Sequence, residues 1–194
     1  AGIRCTDNYK IYSSGYEQCG RSKHFGCELW LQKALPISKL QDGSAVRLND
    51  CKVTIIVSEP RLMVAQLEGP ICLCFIVAHA PCVSADRPFA QVKQWWTDVS
   101  GKVSNAVGKN SVIFIDANAP LAGHATEFFG MHHAEEMNPQ GFEFQDFLTA
   151  NEFYVPSTFA SHCGPSTTWH HPRGIQLRRD YILLSRSKIG RAHV

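Results

Sequence analysis

Ser111-Val112-Ile113-Phe114-Ile115-Asp116-Ala117-Asn118-Ala119 opens as an apolar run and stops abruptly in two oxygen-bearing side chains flanked by small residues. The run predicts a buried strand. Residues two apart on an extended chain share a face, so Asp116 and Asn118 are expected to leave the strand side by side. A carboxylate and a carboxamide on a rigid element suit a hard cation or an oriented water. The plainer reading is a strand that ends in an Asx turn, since Asp and Asn favour both.

The chain around this segment reads as alternating elements. Upstream, Phe89, Val92, Trp96, Val99, Val103 and Val107 recur at steps of three and four. That spacing predicts an amphipathic helix started near Asp86 and stopped at Gly108, with Trp96 in the core and Trp95 partly exposed. Further upstream, Ile71 to Ala78 predicts a strand ending at His79-Ala80-Pro81, and Lys52 to Ser58 with Leu62 to Leu67 predicts a hairpin broken at Glu59-Pro60. Tyr9 to Ser13 and Gly26 to Gln32 predict strands joined by a Gly-rich loop, with Pro36 to Asp50 as a connection. Downstream, residues 120–140 form a polar loop, and Phe142, Phe144, Phe147 and Leu148 predict a helix ending near Asn151. Thr167-Thr168-Trp169 predicts a strand end, and Arg178 to Leu184 a last strand with a charged start. Hairpins followed by helix–strand alternation point to an α/β sheet packing rather than an all-β barrel.

A length of 194 residues suffices for one sizeable α/β domain. At 44% hydrophobic and 19% charged residues the composition is that of a globular fold and argues against disorder. A net charge of +2 neither demands nor opposes a polyanionic partner. No apolar run reaches membrane-span length and no signal-peptide pattern is present, so the expected setting is intracellular, with a nucleus as one option, and no membrane partner. None of the eight cysteines forms a Cys-x-x-Cys pair, which argues against a zinc ribbon. Cys72 and Cys74 are expected as buried thiols on one strand face. His132, His133, His162, His170 and His171 lack zinc-site spacing and read as loop residues.

Three polar signals stand at edges of apolar strands: His79, the Asp116–Asn118 pair, and Asp180, with Thr168 as a weaker fourth. Each has a plain alternative. His79 would serve as a satisfied core or loop histidine, Asp180 would pair with Arg178 or Arg179, and Thr168 would have no chemical role. Taken in order, however, His-Ala-Pro after a strand, Asp-x-Asn-Ala after a strand, Thr-Trp, and Arg-x-Asp-Tyr-Ile-Leu resemble the endonuclease/exonuclease/phosphatase superfamily, to which deoxyribonuclease I belongs. Within it the likeness is greatest to endonuclease domains of non-LTR retroelements, through Gly26-Cys27-Glu28-Leu29-Trp30 and the Asn138–Asn151 stretch with its Gly141 and Asp146-Phe147-Leu148.

The resemblance implies a two-sheet α/β sandwich of the deoxyribonuclease I-like kind, incomplete at both termini, and Mg²⁺-dependent phosphodiester hydrolysis, with Mn²⁺ as a substitute and DNA as the partner. It implies that Asp116 orients or deprotonates the attacking water and that Asn118 holds a phosphate oxygen or a metal-ligand water. Asp116 and Asn118 thus become the metal residues. His79 contacts the scissile phosphate or leaving oxygen, Thr168 offers a phosphate-side hydroxyl, and Asp180 orients the family's last catalytic His. From the charge pattern instead, Arg173, Arg178 and Arg179 cluster near Asp180, a group that suits phosphate contacts, with Arg178 and Arg179 as the expected ones and a solvated basic strand end as the plain alternative. Phosphodiester cleavage needs an in-line water, a cation and a donor at the leaving oxygen, which agrees with these roles.

Two features depart from the family pattern. The metal-binding Glu of a Gln-Glu pair would fall just before residue 1, and Glu17 and Glu28 lie in other contexts. The terminal Ser-Asp-His has no match after Asp180, since His193 lacks the strand context. The expectation is a fragment: a partial domain over 1–188 and a non-native tail over 189–194, which resembles a translated sequencing adapter, with little activity alone. The alternatives are another phosphodiesterase of the superfamily (an RNA deadenylase, sphingomyelinase or inositol phosphatase) and a non-catalytic binding module or pseudoenzyme.

Overall fold

The structure, a computed structural model, describes residues 2–15, 17–19, 22–24, 26–106 and 110–185, with the backbone alone for 17–19 and 22–24. Val107, Gly108, the segment 186–194 and the Glu17 side chain therefore lie outside the described residues. The chain divides into two compact units, Ala1–Val77 and Ala78–Val194.

The first unit is built from hairpins. β1 (Gly2–Cys5), β2 (Tyr9–Ser13) and β5 (Glu28–Gln32) form an antiparallel sheet in the order β1-β2-β5, with Ile11 opposite Trp30. The loop between β2 and β5 carries a short hairpin of its own, β3 (Glu17–Cys19) with β4 (Ser22–His24). The expected connection over 36–50 contains a second small pair, β6 (Ser38–Lys39) with β7 (Ala45–Val46). β8 (Lys52–Glu59) and β9 (Leu62–Glu68) are the predicted hairpin, with a bulge between Ile55 and Val57. β8 alternates half-buried Val53, Ile55 and Val57 with exposed Lys52, Thr54 and Ile56, whereas Leu62 to Ala65 of β9 are buried throughout. The core gathers Tyr12, Leu29, Leu31, Leu48, Met63 and Leu67, with Leu73, Phe75 and Val77 packed against it. Cys74 is buried as expected, but Cys72 is exposed because it precedes the strand β10 (Leu73–His79) rather than lying in it. The unit boundary falls within β10.

The second unit carries the helices. α1 (Phe89–Ala106) buries Val92, Trp96, Val99 and Val103, the face its spacing predicts, while Trp95 is half-buried. It starts at Phe89 rather than Asp86, because Ser84 and Arg87 form a bridged turn ahead of it. β11 (Ser111–Asp116) follows. α2 (Pro139–Ala150) starts three residues before the first expected apolar position, with Pro139 in its first turn and the Asn138 side chain accepting the N–H of Gly141 at 2.9 Å. A Cβ on Gly141 would meet Pro120 O at 2.7 Å, so this residue lets the helix start press onto the loop after β11. Trp96 of α1 stacks on Phe144 of α2 with ring centroids 5.4 Å apart. β12 (Phe153–Tyr154), a small exposed pair of β13 (Trp169–His170) and β14 (Gln176–Leu177), and β15 (Asp180–Ser185) complete the unit. β12, β15 and β11 lie side by side and antiparallel, in that order. The last strand begins at Asp180, not at Arg178, since Arg178 turns inward. No described helix is long and apolar enough to cross a membrane.

Candidate active site

The site is assembled within the second unit, where the end of β11 meets the start of β15. Register pairing sets Asp116 directly opposite Asp180. Ala117 N–H donates to Arg179 O at 2.7 Å, and Ala80 N–H donates to Asp116 O at 2.8 Å, so His79 is delivered beside the end of β11. The His79 Nε2 and Asp116 Oδ2 atoms stand 3.6 Å apart, both side chains partly exposed. That is ion-pair range and too long for a hydrogen bond.

Asp116 and Asn118 do not simply share the face of an extended strand. Asp116 Oδ1 accepts the Asn118 N–H at 3.0 Å, an Asx turn, and Asn118 adopts a left-handed φ of 47°. The Asn118 side chain then donates to Ala80 O at 2.8 Å. The turn and the polar cluster are therefore the same feature. Buried Ala117 and Ala119 allow the close approach.

Thr168 stands across β15 from this pair. Its Oγ1 accepts the N–H of Arg179 at 2.9 Å and of Asp180 at 3.0 Å. Two accepted bonds leave its own O–H to donate. Tyr181 locks the strand start from below, its hydroxyl donating toward Ala119 O and Arg178 O, both at 3.1 Å. Burial pushes the Tyr181 hydroxyl well above the usual phenol range, so it stays a neutral donor.

Burial also raises the Asp116 carboxyl above its ordinary value, and the Asp180 charge adds to this. The Asn118 N–H, His79 and Arg179 pull the other way without reversing the sign. A carboxylate that is hard to ionise beside a second carboxylate is a place where a cation relieves the field. The donors are all oxygens, which fits Mg²⁺ or Mn²⁺ better than zinc. Among the described residues no three His, Cys, Asp or Glu side chains gather as a metal site, and the set here is two carboxylates and a carboxamide.

The structure thus brings together His79, Asp116, Asn118, Thr168 and Asp180. It treats the two arginines differently. Arg178 is 4% exposed, with its guanidinium bound to Ser166 O and His132 O, and Arg179 pairs with Glu135 at 3.1 Å. Glu135 escaped the sequence reading because one of two adjacent acids in a polar loop, Glu135-Glu136, carries no pattern that says which partner it meets. Glu28, the later of the two early glutamates weighed above, lies on the sheet of the first unit. There it accepts from Trp30 Nε1 and Ser13 Oγ, both at 2.8 Å, and these bonds hold it below the usual carboxylate range.

No protein-family model matches the chain, and none of the curated proteins matches its sequence. Solved structures do. An AP endonuclease from Archaeoglobus fulgidus is similar over 92% of this chain and 67% of its own, with TM-score 0.53 and 16% identity. A humanized D. rerio TDP2 is similar over 94% of this chain and 63% of its own, with TM-score 0.49 and 14% identity. A beta toxin from Staphylococcus aureus is similar over 67% of this chain and 45% of its own, with TM-score 0.42 and 14% identity. The chain therefore spans about half to two thirds of these structures' lengths. The likeness to the archaeal protein shows the fold, a mixed α/β fold of the deoxyribonuclease I-like class.

Proposed function

We propose that this chain is a metal-dependent phosphodiesterase domain that cuts DNA, of the kind carried by retroelements. The observation that supports it is the convergence of Asp116, Asn118, His79, Thr168 and Asp180 at the facing ends of β11 and β15. The likeness to an AP endonuclease, a nuclease by its name, is consistent with a nucleic-acid substrate.

In this reading Asp116, with Asn118 beside it, would hold a divalent cation through oxygen, which when bound would supply charge neutralisation at the phosphate. Asp116 Oδ2 is left for a water, because Oδ1 is occupied by the Asn118 N–H. A partly exposed His79 beside that oxygen accepts or returns a proton at Nε2. Thr168 donates its hydroxyl to a phosphate oxygen, and Asp180 is the carboxylate that orients a catalytic histidine.

Mn²⁺ titration followed by amide line broadening tests the site. Broadening centred on Asp116, Asn118 and Asp180, lost in Asp116→Ala, supports the reading, whereas broadening elsewhere sinks it. Competition of duplex DNA, poly(A) and a phosphoinositide for the metal-loaded chain then sorts the substrate. Preference for either of the latter two overturns the DNA assignment.

A further inference from the structure

Glu135 lies in the polar loop ahead of α2, yet its carboxylate meets both members of the basic pair. One oxygen accepts the backbone N–H of Arg178, and the other accepts the Arg179 guanidinium at 3.1 Å, with the two side chains 18% and 20% exposed. Arg178 faces inward, donating from Nε to Ser166 O at 2.6 Å and from Nη1 to His132 O at 3.3 Å. Three separate segments, around 132–135, at 166–168 and at 178–180, are thereby tied together. Charge-assisted bonds of this kind are short and directional, and losing one partner of a shielded pair leaves the other uncompensated.

What the tie holds is the backbone at residues 178–180. The N–H groups of Arg179 and Asp180 both rest on Thr168 Oγ1, and Arg179 O accepts from Ala117. A shift of this short stretch moves the Thr168 hydroxyl and the Asp180 carboxylate together.

The geometry points to Glu135 as a positioning residue that uses Arg178 and Arg179 as a latch and so sets where Thr168 and Asp180 stand. The functional weight of Thr168 and Asp180 rests on the reading proposed above, but the latch itself does not. The arginines then serve the site from behind, and phosphate contacts there fall to Thr168 and His79.

Amide hydrogen exchange on the full chain tests this, with Glu135→Ala, Glu135→Gln and Arg179→Ala compared with the parent. Glu135→Ala is expected to speed exchange of the Arg179 and Asp180 amides about tenfold, the scale of one lost charged hydrogen bond. Amides in the middle of β11 and β15 should keep their rates. Glu135→Gln retains an acceptor for the Arg178 N–H and should restore most of the protection. Arg179→Ala, which removes one arm, should speed the same two amides several-fold and serves as the comparison if Glu135→Ala does not fold. The Mn²⁺ midpoint read at Asp180 should rise in Glu135→Ala and recover in Glu135→Gln. Unchanged exchange at Arg179 and Asp180, or an equal rise throughout β11 and β15, overturns the latch. Absence of Mn²⁺ broadening in the parent chain overturns the functional reading instead and leaves the exchange result to stand on its own.

Discussion

Asp116 Oδ1 holds the backbone N–H of Asn118 at 3.0 Å, so the residue proposed to serve the reaction also builds the turn on which its neighbour sits. Structure and chemistry are coupled at this position, and they are separable by substitution.

Asp116→Asn keeps an oxygen to accept the Asn118 N–H and removes the charge. Burial raises the folded-state pKa of Asp116 above its ordinary 3.8. The folded chain therefore binds the proton more readily than the unfolded chain. The group's favourable contribution is complete below that ordinary value and is lost as pH rises through the folded value. At pH 7 the ionised carboxylate is a net liability. Asp116→Asn should raise the urea midpoint at pH 7, with the gain shrinking toward pH 4, while abolishing Mn²⁺ broadening at the site. A lower midpoint at pH 7 would contradict the assigned environment.

Asn118 combines a left-handed backbone with a side-chain bond to Ala80 O at 2.8 Å. Asn118→Ala loses the bond and keeps a Cβ without the local polar side chain that lets asparagine tolerate the left-handed region, for a cost of about 2–3 kcal/mol. Asn118→Gly loses the bond but relieves the backbone and should cost about 1 kcal/mol. Chemical denaturation of the two variants checks the ordering, and an Ala variant no worse than the Gly variant would remove the strain argument.

Thr158 is buried, accepts the Gly130 N–H at 2.9 Å and donates to Val155 O at 2.7 Å. Thr158→Val keeps the shape and strands the Gly130 N–H, while Val155 O still accepts the backbone N–H of residue 158, so a loss of about 1–2 kcal/mol is expected. Thr158→Ser should recover most of it. Equal stability of the Val and Ser variants would show that these bonds contribute nothing net.

Cys27 is buried and its thiol is pushed up to about 11 by burial, against smaller opposing effects of Arg61 and Ser14. At pH 8 it should resist a thiol reagent in the native chain while exposed Cys5 and Cys163 react. Mass spectrometry of labelled peptides reads this directly, and early modification of Cys27 would show that the first unit opens readily.

The legible parts of the fold were those with periodicity. Val92, Trp96, Val99 and Val103 announced a helix, and the apolar runs around Ile113 and Val64 announced strands, because burial of one face forces such repeats. Gly2–Cys5 was not legible, since it is exposed along its whole length and shows no alternation. The two-residue strands at 38–39 and 45–46 are too short to carry any period. His79, Asp116, Asn118, Thr168 and Asp180 were nominated from strand ends and motif order. The inward turn of Arg178 was not, because two adjacent arginines look alike until a carboxylate from a distant loop engages one side chain and the backbone of the other.

The sequence by itself determined which strands are buried, where they stop, and which polar residues stand at their ends. Apolar patterning is a local record of burial, and Asp-x-Asn after such a run is a local record of a turn. Only the tertiary structure decided that Asp116 faces Asp180 across one register, that Thr168 carries two β15 amides, and that Glu135 holds Arg178 and Arg179. Those relations join residues 11 to 64 positions apart, and hydrogen bonding over such separations is set by chain topology, which leaves no periodic trace in the sequence.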